Sequence, residues 1–126
     1  MYGYKKQVKA SFEDAVEKTR IALAKEGFGV LTEIDVKATL KKKLDVDYDN
    51  YIILGACNPP FAYRALLAEK DIGLMLPCNV IVYQQGKNVF VSAILPTVAM
   101  SMIKNDKLKQ IAVQVEQKLK NVVDAV

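Results

Sequence analysis

Apolar positions along the chain change period several times, and each change marks an element. Residues 2 to 9 read as a strand ending near Ala10. Beyond it Phe12, Ala15, Val16, Thr19 and Leu23 return at helical spacing on one face. Ser11 is placed to cap that helix, Ser11 with Asp14 approximates a capping box, and Glu13 and Asp14 suit the positive end of the helix dipole. Gly27 stands where a left-handed residue would end it, and Ile21 points away from the core face. Over 28–34 the period becomes two, with Phe28, Val30, Thr32 and Ile34 alternating against Gly29, Leu31 and Glu33, which predicts a second strand. Asp35 then caps a short helix. Its Val36, Leu40 and Leu44 repeat every four residues, Lys37, Lys41, Lys42 and Lys43 take the wet side, and it ends by Asp45.

The near-continuous apolar run 51–57 has the length of a buried strand and stops abruptly at Asn58-Pro59-Pro60. Asparagine is a favoured N-cap and proline is tolerated at the first helical position. The break therefore predicts a helix running to about Asp71, with Phe61, Ala62, Ala65, Leu66 and Glu69 on one face and Gly73 closing the segment. Two β-branched runs, 78–84 and 89–95, flank Gln85-Gly86-Lys87-Asn88 and predict a hairpin. Pro96 ends the second run, 97–103 reads as a short helical turn, and Asn105-Asp106 opens a last helix. That helix carries an apolar stripe of Leu108, Ile111, Ala112, Val115, Leu119 and Val122. No repeat or linker interrupts the series, so residues 1–126 read as one α+β domain with a mixed sheet covered by helices.

Composition narrows the chemistry. With 52% hydrophobic residues, 126 residues can bury a core without disulfides or metals, so stability does not explain the two cysteines. The segment Met1 to Lys6 has no apolar signal region, and no stretch approaches the ~18 apolar residues a membrane span requires. The expected location is the cytoplasm, with no membrane partner and both cysteines as free thiols. The net charge of +4 comes from lysines spread over most segments, with Arg20 and Arg64 the only arginines. It reads as a solvated surface, and nucleic acid is not an expected partner. Asp45, Asp47, Asp49 and Asn50 begin like a calcium loop. Asn50 stands where the turn glycine belongs and Ala56 where the bidentate glutamate belongs, which leaves a polar turn.

Histidine is absent, which removes the commonest general base and metal ligand, and no phosphate-loop or dinucleotide fingerprint is present. What remains is a sulfur pair in a repeated context, Gly55-Ala56-Cys57-Asn58-Pro59 and Leu76-Pro77-Cys78-Asn79, both cysteines preceding asparagine. Cys57 stands at a strand-to-helix junction, where the dipole favours a thiolate. Pro59 and Pro60 donate nothing, so Asn58 is expected to reach the amide of Phe61. The candidate ligand-binding residues are Cys57, Asn58, Pro59, Cys78 and Asn79. The asparagines would orient a thiol-dependent or small-ligand site, and its catalytic role, if any, is undefined by sequence. The alternatives are a zinc or copper site on Cys57 and Cys78, with Met75, Met100 and Met102 as thioether donors for Cu(I), or a purely structural interaction domain.

These two cysteine segments, with the stretch Phe28-Gly29-Val30 through Ile34-Asp35-Val36, resemble the domain of unknown function 302 family over nearly the whole chain. The resemblance implies an α+β fold similar to the TATA-binding-protein class. In it a single curved, mainly antiparallel sheet is covered by helices, in the order β-α-β-β-α-β-β-α. It also implies a homodimer, and it implies no activity. The family often carries an acidic residue before the proline that follows the last strand, where this chain has Leu95 before Pro96.

Overall fold

A computed structural model describes residues 1–126. Strand β1 (Gly3–Val8) leads to helix α1 (Phe12–Lys25), whose N-cap is Ser11: its hydroxyl accepts from the Asp14 amide at 3.1 Å. Strand β2 (Gly29–Asp35) and helix α2 (Val36–Leu44) follow, the latter capped by the Asp35 carboxylate accepting from the Ala38 amide at 2.9 Å. The remaining elements are β3 (Tyr51–Cys57), α3 (Pro59–Ala68), a 3-10 helix (Lys70–Met75), β4 (Cys78–Gln85), β5 (Asn88–Ile94), α4 (Pro96–Ala99) and α5 (Asp106–Asp124).

The strands form one sheet in the order β1-β5-β4-β3-β2, and every pairing is antiparallel. The mixed sheet expected from the element order is thereby corrected. The two-residue connection between β4 and β5 can only join antiparallel neighbours, whereas the longer connections that carry helices leave strand direction open in the sequence. The architecture is α+β and the sheet is open, with β1 and β2 at its edges. On one face Leu54, Val80, Val82 and Val91 are fully buried against α1 and α5, whose Leu23, Leu119 and Val122 complete the main core. Pleating sends the intervening residues to the other face. There Tyr51, Tyr83 and Phe90, in register across three strands, stack with ring centroids 5.4 and 5.2 Å apart.

Three expectations fail for local reasons. The alternation read over 28–34 is broken by an irregularity between Val30 and Thr32, where Leu31 has no cross-strand partner. A bulge adds one residue, so Val30 pairs with Ala56 on the core side while Thr32 and Ile34 stand opposite Gly55 and Ile53. α2 buries none of its residues, and Leu44 is exposed, so its four-residue apolar repeat marks a surface helix. The helix expected to reach Asp71 ends at Ala68, and the chain turns at an extended Glu69 before the 3-10 helix. The aspartates after α2 are exposed. Lys41 pairs with Asp45 and Asp47 at 3.0 and 3.4 Å, as a polar turn would.

A second, smaller core of Ala65, Ile72, Met100, Leu108 and Ala112 joins α3, the 3-10 helix and the start of α5. Asn105 ties this region together. Its Oδ1 accepts from the Leu108 amide at 3.1 Å, and its Nδ2 donates to the Ala68 carbonyl at 2.8 Å. A carboxylate does stand beside Pro96 despite Leu95. Glu116 of α5 accepts from the Thr97 amide and hydroxyl at 3.1 and 2.7 Å.

Candidate functional site

The two cysteines come into one neighbourhood because β3 and β4 are adjacent and antiparallel. Ala56 pairs directly with Cys78, so Cys57 lies one residue along β3 from the position opposite Cys78. Both border one partly open cavity of about 290 Å³, bounded by the ends of β3 and β4, by α3, and by α5. Fifteen of its 18 bordering residues are hydrophobic, and the wall contains no lysine, arginine, aspartate or glutamate. Phe28, Phe61, Met100 and Val115 supply much of the surface, and Arg64 covers the Phe61 ring at 4.5 Å from its centroid. Leu31 reaches the rim because the bulge in β2 re-aims it, although it is otherwise solvent-exposed.

Cys78 is 8% exposed. Burial, with the neighbouring Cys57 as the smaller cause, pushes its thiol from 9.0 up to about 11. Cys78 is therefore a neutral thiol at physiological pH, an apolar wall atom with a weak donor rather than a ready nucleophile.

Gly55 explains how the segment before Cys78 approaches so closely. A Cβ there would lie 2.9 Å from the Pro77 ring and closer still to the Thr32 hydroxyl, so a side chain would displace one or both. Pro77 in turn borders the cavity next to Cys78.

Asn58 is buried and borders the cavity, but it does not cap α3 with its side chain. The expected bond to the Phe61 amide is replaced by one from Nδ2 to the Glu26 carbonyl at 3.0 Å. The cause is the C-terminal end of α1, whose last carbonyls lack intrahelical donors and are brought against Asn58. Gly27, at φ 85°, packs on the same amide, and a Cβ there would stand 3.2 Å from Nδ2.

The other expected site residues separate from the pair. Pro59 is exposed at the first turn of α3 and lies outside the cavity wall. Asn79 is exposed because it follows Cys78 in a pleated strand and so takes the opposite face. It borders a separate depression with Leu74 and Met75. The roles expected of Pro59 and Asn79 beside the thiols are corrected accordingly. Of the three methionines considered as thioether donors, Met100 borders the cavity, while Met75 lies in the Asn79 depression and Met102 is 76% exposed. No group of three His, Cys, Asp or Glu side chains is positioned to share a metal ion.

Residues 4–126 match the family described as Domain of unknown function DUF302. The chain belongs to that family. A crystal structure of an uncharacterised conserved DUF302 protein from Bacillus stearothermophilus is similar over 99% of this chain and 98% of its own, at 32% identity and a TM-score of 0.93. Among curated proteins none matches. DUF302 membership accounts for the α+β architecture and assigns no reaction to the cavity.

Sequence patterning missed most of the wall. Phe61, Ala65, Leu108 and Val115 were legible only as core faces of two helices, and nothing in their spacing reveals that the faces stop short of each other. The signals that did exist were the abrupt Asn58-Pro59-Pro60 break and the paired cysteine contexts.

Proposed function

We propose that this DUF302 protein is a small-molecule binding module that takes a neutral, mainly apolar ligand into the cavity bordered by Cys57 and Cys78. The observation that carries the reading is that both cysteines border a single concave apolar space with no charged side chain in its wall. Ligand sites are typically concave, mostly apolar and provided with a few polar groups, and this cavity stands at the small end of their size range. An apolar cavity of about 150 Å³ suffices for benzene, so about 290 Å³ suits a monocyclic or small bicyclic compound.

The neutral Cys78 thiol fits this role. A ligand that packs against sulfur gains dispersion and S–aromatic contact without ionising Cys78. Homodimerisation, implied by the family resemblance, belongs to the same proposal, as does the similarity to the TATA-binding-protein class, which brings no nucleic-acid role with it.

A second reading has one observation in its favour: Met100 borders the cavity together with both cysteines, and soft sulfur donors are the kind Cu(I) selects. Its cost is set by Cys78. Deprotonating a thiol with a pKa of about 11 at pH 7 requires about 5 kcal/mol, which metal binding would have to supply and a neutral ligand would not. That difference favours the organic ligand. Protein purified without chelator is expected to carry substoichiometric copper and zinc; one copper per chain, lost in a Cys57→Ser/Cys78→Ser double variant, reverses the preference.

The direct test is an NMR titration with toluene. Saturable shifts are expected for methyl groups of Leu66, Leu108 and Val115, and Ala62→Trp, which fills the space from a partly exposed position, is expected to abolish them. Shifts confined to other parts of the molecule contradict the proposal.

A further inference from the structure

α1 and α5 cover one face of the sheet, and the other face carries no comparable layer: α2 packs beside β2 and β3 and buries none of its residues. Alternation from the buried Leu54, Val80, Val82 and Val91 turns Ile53, Ile81, Tyr83 and Phe90 to the uncovered side. The pairings set these side chains in rows. Ile34, Ile53 and Ile81 stand opposite one another across β2, β3 and β4, beside the stacked row of Tyr51, Tyr83 and Phe90 that Tyr48 extends at 6.4 Å from the Tyr51 ring. Across all five strands pleating sends one charged residue to this side, Lys5, in a chain of which 25% is charged. Lys5 is held within the face itself. Its ammonium donates to the Tyr83 hydroxyl at 3.4 Å and lies 5.4 Å from the centroid of the Phe90 ring.

Size and charge together select the occupant. Five strands about 4.8 Å apart and about 20 Å long give about 500 Å² of projected face. The accessible area of standing side chains exceeds their projection, so covering this face approaches the burial of about 800 Å² per partner of a standard interface. Nucleic acid would require a track of cations and ring faces free to stack on bases. Here there is one lysine, and the rings of Tyr51, Tyr83 and Phe90 stack on one another with 13° and 25° between planes. A partner chosen by opposite charge finds nothing to complement. A twofold contact lays the same surface on itself, which a face of one charge sign resists and a neutral aromatic and aliphatic face permits. We infer that a second copy of this chain covers this face, the two sheets packing face to face with Ile53, Ile81, Tyr83 and Phe90 at the centre. The inference rests on the homodimer proposed above and assigns its interface. None of these four side chains borders the cysteine cavity, so the two surfaces serve separate contacts.

Ile81→Lys places a second cation at the centre of the face, where the twofold contact would bring four together. Sedimentation of the unmodified protein is expected to give twice the 14.0 kDa of one chain, and Ile81→Lys to give the mass of one chain with the native pattern retained in its amide spectrum. A measurement on the unmodified protein stands beside it. In a single chain Ile34 is 46% exposed and Ile21, on the outer side of α1, is 49% exposed, so their methyl groups would be relaxed alike by a soluble gadolinium chelate. In the dimer the Ile34 methyl groups are expected to relax several-fold less than those of Ile21. Should Ile81→Lys not fold, that comparison decides the matter. A dimer that survives Ile81→Lys, or one in which Ile34 and Ile21 relax equally, overturns the assignment of this face while leaving the homodimer. An unmodified protein that sediments as one chain removes the homodimer and its interface together.

Discussion

Cys78 and Gly55 show how single residues set the properties of this cavity. The Cys78 thiol ionises near pH 11 in the folded chain against 9.0 when exposed, so the native state holds its proton over a range in which the unfolded state has lost it. The resulting stabilisation is fully present below pH 9 and disappears as pH rises to about 11, a loss of about 3 kcal/mol. Urea denaturation of the wild type and of Cys78→Ala at several pH values measures it. The two stability curves are expected to converge between pH 9 and 11, and a constant separation would contradict the assignment. Gly55 is expected to tolerate no side chain. Gly55→Ala must displace Thr32 or Pro77, and a destabilisation of about 1–3 kcal/mol in denaturant melts is the expected outcome.

Elements were legible to very different degrees, and the differences follow from what fixes each one. β3, the β4–β5 hairpin and α5 lie close to their expected bounds, since a seven-residue apolar run, a glycine turn at Gly86 and the capping Asn105 are all local signals. The face assignment in β2 failed at Leu31 because a bulge is decided by the pairing partner, here β3, which the β2 sequence does not contain. Asn58 failed in the same way. Its position as N-cap was readable, but its side-chain bond was claimed by the end of α1, 32 residues away in sequence. Both cysteines border the same cavity, while Asn79 does not, because alternation along β4 turns Asn79 away from the face Cys78 occupies. At this scale Asn105 offers a test, as it caps α5 and also binds the end of α3, the two helices that wall the cavity. Asn105→Ala is expected to cost about 1–2 kcal/mol of stability in thermal or urea unfolding and to weaken toluene binding in parallel. A stability loss with unchanged affinity would mean that the helix junction does not shape the site.

As a whole molecule, the domain combines a covered sheet face that supplies the main core with an apolar space left where β3, β4, α3 and α5 converge. The proposed homodimer predicts a sedimentation mass near twice the 14.0 kDa of one chain, and a mass of one chain at micromolar concentration contradicts it. The central claim concerns the convergent space itself, and its most direct test is diffraction from crystals pressurised with xenon, a probe that occupies dry apolar cavities without needing any hydrogen bond. The account predicts a single strong xenon peak between Cys57, Cys78 and Phe61. Crystals that take up xenon only elsewhere, or that show this space filled by rearranged side chains, would contradict it.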